Sequence, residues 1–274
     1  MSPKLGILAG GGALPLRLIA ACRAVGRDVF VLAFDGQTDR ATVADVPHAW
    51  VRLGAAGRAI ELLRAAGVEE LVMAGGIRRP SLAMLRPDQR AARFLAKAGG
   101  RLFSDDGLLK AIIDILEREE GFRVVEARSL LTSLTVGRGP LGQRRPSPED
   151  ERDIAWGVEV ARQLGRLDIG QAVVVCDGIV LGVEAAEGTD ALIERCRALR
   201  GAKSGGVLVK VLKPQQEHRA DPPTIGLETV RRAAIAGLHG IAVEAGGALV
   251  IDAEAVAQAA DAAGLFVVGI GVDN

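Results

Sequence analysis

Apolar residues along this chain fall into two periodic patterns that alternate through its first half. Leu5-Gly-Ile-Leu-Ala9 is an unbroken apolar run entering a glycine cluster, the pattern of a strand buried on both faces of a parallel sheet. From Ala13 to Val25 apolar positions recur at helical spacing (Leu14, Leu18, Ala21, Val25) and stop at Gly26. Asp28 to Phe34 is a second strand-like run, Arg58 to Ala66 a helix, Glu70 to Ala74 a strand ending at Gly75-Gly76, and Leu108 to Glu119 a helix. Strand and helix in alternation predict a parallel sheet with crossover helices. Ligands on such sheets lie at the carboxyl ends of strands, where Gly10-Gly11-Gly12 and Gly75-Gly76 both fall.

The periodicity lapses between Gly137 and Pro148, where glycine and proline are dense. This divides the chain into a Rossmann-like nucleotide- or sugar-phosphate-binding domain over residues 1–135, a linker over 136–148 and a mixed α/β catalytic domain over 149–274. In the second domain Glu149 to Gly165 reads as a helix opened by Ser147-Pro148. Ala172–Cys176 and Ile179–Val183 read as strands joined at Asp177-Gly178, a type I′ turn. Thr189 is expected to cap a helix over Ala191 to Arg197. Gly206 to Leu212 is a strand and Leu227 to Leu238 a helix. Ile241–Ala245 and Ala248–Asp252 suggest a hairpin about Gly246-Gly247, before a last helix and the strand Leu265 to Ile270.

Composition narrows the class. The 274 residues are 49% hydrophobic and 25% charged, with 35 glycines, which suits a sizeable core and excludes disordered, collagen-like and disulfide-rich chains. The 34 basic and 34 acidic side chains cancel, against the basic surplus that nucleic-acid binding needs. Cys22, Cys176 and Cys196 have no paired spacing and read as thiols of a reducing cytoplasm. The start MSPKLGILAGGG lacks the character of a signal peptide, and no apolar stretch reaches the roughly 18 residues of a membrane span. The expected location is cytoplasmic. Residues 1–135 hold 19 basic and 15 acidic side chains, leaving 15 and 19 for the remainder, so the two halves carry opposite net charges of +4 and −4.

Candidate chemistry lies in the loops. Gly10-x-Gly12-x-x-Pro15, with Asp35 after the next strand, suits either a phosphate or nucleotide contact at a helix N-terminus or a tight turn with no ligand. Residues 77–101 carry Arg78, Arg79, Arg86, Arg90, Arg93, Lys97 and Arg101 among apolar positions, which suits an anionic surface or ligand as well as a solvated helix face. Asp105 and Asp106 follow, as a helix cap or as ligands of a hydrated cation or a sugar hydroxyl. Glu187, Thr189 and Asp190 collect at one strand tip. The densest polar loop runs from Lys213 to Gly226, with Gln216, His218, Arg219, Asp221 and Thr224 stiffened by Pro214, Pro222 and Pro223. Lysine and arginine suit phosphate oxygens, and Asp221 suits a metal or an attacking water. His48, His218 and His239 lack zinc spacing, and no Walker, nucleophile-elbow or H-E-x-x-H motif is present.

Five motifs in order resemble one family: LGILAGGGALP near the start, MAGGIRRP at Met73 to Pro80, SDDGLL at Ser104 to Leu109, VLGVEAAEGTDALI at Val180 to Ile193, and KPQQEHRADPPTIG at Lys213 to Gly226. The chain resembles the UDP-2,3-diacylglucosamine pyrophosphatases of lipid A biosynthesis, of the LpxI type found in some Gram-negative bacteria. It departs from the family pattern at Gln215, Glu217 and Pro222 while keeping Lys213, Gln216, Arg219, Asp221 and Thr224. The resemblance implies magnesium-dependent hydrolysis of the diphosphate to UMP and 2,3-diacylglucosamine 1-phosphate, by water attacking the phosphorus on the sugar side in a cleft between two domains. Asp221 is then expected to bind magnesium or position the water, with Asp190 or Glu187 as second carboxylate, and Lys213 and Arg219 to neutralise phosphate oxygens. Gly10, Gly11, Gly12, Ala13, Leu14, Gly75, Gly76, Arg78, Asp106, Glu187, Thr189, Gln216 and Thr224 are the expected substrate contacts, and residues 82–94 the hold on the acyl chains. Peripheral contact with the inner membrane and a homodimer complete these expectations. An NAD-dependent oxidoreductase using Gly10-x-Gly12 and Asp35, and a non-catalytic lipid-binding or transfer protein, are the alternative readings.

Overall fold

The computed structural model describes residues 2–77, 85–99, 105–131, 134–199, 205–214 and 222–272. The chain forms two compact units, one of residues Met1–Leu131 and one of Thr132–Gln216 with Pro222–Asn274.

In the N-terminal unit β1 (Leu5–Ala9), α1 (Leu14–Ala24), β2 (Val29–Phe34), a 3₁₀ turn (Arg40–Val43), β3 (His48–Val51), α2 (Ala56–Ala65), β4 (Glu70–Ala74), α3 (Gln89–Ala98), α4 (Asp105–Arg118), β5 (Arg123–Val124) and the short α5 (Ala127–Leu130) follow in order. The strands make one parallel sheet in the order β3-β2-β1-β4-β5, as the strand–helix alternation predicts. Period-2 burial is absent from β1, β2 and β4 because helices cover both faces of the sheet. On one face Leu32, Phe34, Val51 and Leu71 pack against Ile60 and Leu63 of α2 and Ile113 and Leu116 of α4. α1 buries Leu14, Leu18, Ile19 and Cys22, the residues its helical spacing picks out.

The C-terminal unit runs β6 (Gly139–Pro140), α6 (Pro148–Arg166), β7 (Ala172–Cys176), β8 (Ile179–Val183), α7 (Gly188–Leu199), β9 (Val207–Lys210), β10 (Thr224–Ile225), α8 (Leu227–Ala236), β11 (Gly240–Glu244), β12 (Leu249–Val250), α9 (Ala253–Ala263) and β13 (Phe266–Ile270). Its main sheet has six strands in the order β6-β13-β11-β9-β7-β8, parallel across β13, β11 and β9 and antiparallel at both flanks. Alternate residues divide between two cores. Val173, Val175, Val207, Val209 and Val211 face Ile154 and Ala161 of α6. Ala172, Val174 and Leu208 belong with Leu192, Val230 and Val256 of α7, α8 and α9. Asp177 and Gly178 have φ of 52° and 75°, the left-handed pair that a type I′ turn requires. Asp153 of α6 locks this turn, its buried carboxylate accepting the Asp177 and Gly178 N–H groups at 3.0 and 2.7 Å.

Three expectations change here. Residues 136–148 carry β6, paired with β13, and end in the Ser147 N-cap of α6, where Ser147 and Asp150 form a reciprocal capping box. The hairpin over residues 241–252 does not form. β11 pairs in parallel with β9 and β13, while β12 leaves that sheet to pair with β10. The burial of Leu249 and Val250 explains the move, because their side chains enter the core shared with α8 and α9. Thr189 is not the cap of its helix. α7 begins at Gly188, and the Thr189 hydroxyl donates to Glu184 instead, at 2.6 Å.

Candidate active site

The order of the N-terminal sheet reverses between β1 and β4, the topological switch point at which doubly wound sheets bind ligands. The glycines that follow these two strands are clasped together by main chain. Gly10 N–H donates to Ala74 O at 2.7 Å, Gly11 N–H to Gly76 O at 2.9 Å, and Gly76 N–H to Gly11 O at 3.1 Å. A Cβ on Gly10 would stand 2.5 Å from Gly76 O and 2.6 Å from Gly75 O, so glycine is required there by the opposing backbone. Gly12 differs: its φ of 88° is left-handed, and the space a Cβ would take is open. Ala13 is the N-cap of α1 without a side-chain bond, and no acidic residue occupies the first turn. The amides of that turn are therefore the polar groups this edge presents, apart from Pro15, which has none.

Two members of the basic stretch, Arg90 and Lys97, are paired with carboxylates. Arg90 makes a bidentate bond to the buried Glu120 at 2.9 and 2.7 Å, and Arg64 joins the same carboxylate at 2.9 Å. Lys97 holds Glu119 at 2.7 and 2.6 Å. A cleft of about 600 Å³ beside α2 and α3 is lined by Arg58, Arg90, Arg93 and Lys97 and equally by Glu61, Asp88, Glu119 and Glu120, so its charges balance. Phe94, expected to help hold acyl chains, packs onto the core of its own unit. Asp106 lies in the first turn of α4, while Arg78 and residues 79–84 lie outside the described residues.

In the C-terminal unit the polar groups gather at the carboxyl end of β9. Lys210, the last residue of that strand, is only 7% exposed and donates to the Thr189 hydroxyl at 2.9 Å and to the Thr224 carbonyl at 3.3 Å. Glu184, equally buried, accepts the Thr189 hydroxyl and the Gln171 N–H at 2.6 and 3.0 Å. Thr189 and Thr224, expected site residues from distant motifs, thus meet through one lysine. Lys210 is not among the residues that sequence reasoning singles out. The signal for it is a lone lysine inside the apolar run Val207 to Val211, where a cation is tolerated only with partners. Next along the chain, Leu212 N–H donates to Glu244 at 2.8 Å, and Lys213 pairs with Asp168 at 2.7 Å with both side chains mostly buried.

Glu187 is bonded by Arg195 at 2.7 Å, and that bond holds its carboxyl below the usual carboxylate range. Asp190 faces Arg232 at 3.4 Å. Gln216, Arg219 and Asp221 lie outside the described residues. Among the described residues no group of three or more His, Cys, Asp or Glu side chains gathers to hold a metal, and Asp190 already meets a cation. These side chains do not by themselves make a magnesium site. Cys22 and Cys196 are buried, and burial pushes both thiols up, away from nucleophilic use. Among the described residues no helix is long and apolar enough to cross a membrane.

Comparison with known proteins brings these features under one heading. The chain is 45% identical over 279 aligned residues, 97% of each chain, to the UDP-2,3-diacylglucosamine pyrophosphatase LpxI of Caulobacter vibrioides. Among solved structures, N5-carboxyaminoimidazole synthase of Aspergillus clavatus with ADP bound is 17% identical over 73% of this chain and 44% of that one, with a TM-score of 0.23, too slight a likeness to bear on the site. The model of the LpxI N-terminal domain matches residues 4–134 and that of the LpxI C-terminal domain residues 137–268, so the chain belongs to the LpxI family.

Proposed function

We propose that this protein hydrolyses the diphosphate bond of UDP-2,3-diacylglucosamine, giving UMP and 2,3-diacylglucosamine 1-phosphate in lipid A biosynthesis. The observation that carries this reading is identity of 45% with a pyrophosphatase of that name along 97% of both chains, with both family domains in order. A diphosphate repels an oxygen nucleophile until its charge is offset, so the site needs cations at the phosphates and a group that orients water. In this reading Asp221 orients the attacking water and accepts its proton, and Arg219 offsets charge on the phosphate oxygens. Lys213 acts as one half of its pair with Asp168, which supports a fixed ammonium more than a mobile one. The amides at the start of α1 and the clasped glycines are read as the contact for the nucleotide or the sugar phosphate. Magnesium, when bound, would supply further charge neutralisation; removal with EDTA and titration back would read its contribution. A diacylated substrate implies work in the cytoplasm beside the inner membrane.

The test is UMP release from UDP-2,3-diacylglucosamine by the purified protein. Asp221→Ala is expected to keep its fold and lower turnover by about 10²- to 10⁴-fold, the usual worth of a positioned acid–base group. Near-normal turnover would remove Asp221 from the mechanism, and a wild-type protein that releases no UMP would overturn the reading itself. Mass spectrometry of lipid extracted from the Asp221→Ala protein is expected to find the intact diphosphate substrate.

A further inference from the structure

Two stems lead into and out of the polar loop between Lys213 and Pro223, and each is tied down separately. On the entering stem Val211 N–H reaches Gln171 O at 3.0 Å and Leu212 N–H reaches Glu244 at 2.8 Å. On the leaving stem Leu249 N–H donates to Pro223 O at 2.8 Å. Lys210 joins the two, because it belongs to β9, on the entering side, and its ammonium holds the carbonyl of Thr224, on the leaving side.

Packing alone does not explain a lysine here. An ammonium nine-tenths buried loses its hydration, and among the described residues no carboxylate lies within ion-pair distance of it. Glu184 balances it only at one remove, through the Thr189 hydroxyl, which donates to Glu184 and accepts from Lys210. A methionine of similar length would fill the same volume without the desolvation cost. What the lysine supplies instead is a three-way tie between β9, the first turn of α7 and the start of β10.

We infer that Lys210 is a positioning residue for the hydrolysis: by holding Thr189 and Thr224 at once it sets the separation of the two described stems, Val211–Pro214 and Pro222–Ile225, between which the sequence carries Arg219 and Asp221. This rests on the function proposed above. Small misplacements of reacting groups cost up to about 100-fold in rate, while binding through other parts of a large substrate persists. Lys210→Met is therefore expected to lower kcat by about 10- to 100-fold with KM within a few-fold of wild type, and with circular dichroism of the folded protein retained. Thr189→Val, which deletes only the hydroxyl in the tie, is expected to lower kcat in the same way. The double variant is expected to lose no more than the worse single variant, since both changes cut one connection. Should Lys210→Met fail to fold, Thr189→Val carries the test alone.

A folded Lys210→Met or Thr189→Val protein within twofold of the wild-type kcat would overturn the inference. So would losses that multiply in the double variant, or a raised KM with unchanged kcat, which would indicate direct substrate binding. These results leave the pyrophosphatase reading intact, because wild-type UMP release is measured alongside. Absence of UMP release by wild type would sink that reading and the role of Lys210 together.

Discussion

The N-terminal unit meets its switch point with main chain, whereas the C-terminal unit meets the end of β9 with buried side chains. At Gly10, Gly11 and Gly76 the contacts are N–H to carbonyl, and at Gly10 and Gly75 a side chain is excluded by the closeness of the two loops. At Lys210, Glu184, Thr189 and Thr224 the contacts run through an ammonium, a carboxylate and a hydroxyl, two of these groups almost wholly desolvated. At Gly10 and Gly75 the first arrangement tolerates no added atom; the second tolerates no lost one. A backbone clasp is broken by steric intrusion, and a buried polar chain is broken by leaving a partner unsatisfied.

The variants that separate these two modes differ in size. Gly75→Ala is expected to be the most damaging, because it combines a left-handed φ of 86° with a Cβ driven onto Gly11 O. Strain and overpacking together suggest about 3 kcal/mol or more, read as a lowered denaturant midpoint. Gly12→Ala is the control, with a positive φ but open space, and about 1 kcal/mol is expected. A Gly75→Ala protein as stable as Gly12→Ala would mean that the clasp is looser than its hydrogen bonds imply. In the other unit Glu184→Ala strands the Gln171 N–H and removes the acceptor of Thr189, for a loss of about 2 kcal/mol by the same measurement.

A smaller effect separates by pH. Burial works against ionisation of Asp150, but the backbone and hydroxyl of Ser147 and the ring of His239, 3.0 Å away, outweigh it and hold the carboxyl below its ordinary value. The depressed folded value means that this stabilisation is complete above the ordinary carboxylate range near pH 4 and is lost as pH falls through the folded value. Asp150→Asn is expected to cost about 1 kcal/mol at pH 7 and nothing at the acid end, so unfolding curves of the two proteins converge on acidification. Lys97→Ala removes a surface pair whose partners are both well exposed, and a change under about 0.5 kcal/mol is expected.

The legible part of the fold is the part decided locally. β1, α1, β2 and β4 announce themselves because apolar runs and helical spacing are long enough to be unambiguous, and Asp177-Gly178 because a type I′ turn needs those residues. β3, with only His48 to Val51, is too short and mixed to stand out from a loop. The segment around Gly246-Gly247 imitates a hairpin locally, yet β12 is claimed by β10, a pairing that depends on core burial more than twenty residues away. The site divides the same way. The Gly10 and Gly75 clusters were visible as a constraint on backbone, but the cause, each loop pressing on the other, is a tertiary fact. Thr189 and Thr224 were visible as polar loop residues, while Lys210, which joins them, reads as unremarkable until its burial is known.

β6 turns a connector into a terminus for the sheet. β13 would otherwise present an open row of donors and acceptors to any passing strand, including that of another copy. Leu141 N–H is spent inward on Val267 O, and amides alternate in direction along a strand, so the nitrogen that β6 turns outward at its centre belongs to Pro140 and carries no hydrogen. A newcomer finds an acceptor without a donor to answer it, and ladder growth stops after two residues. That edge is therefore closed to a further strand by the same Gly/Pro composition that, read linearly, marks a linker between domains.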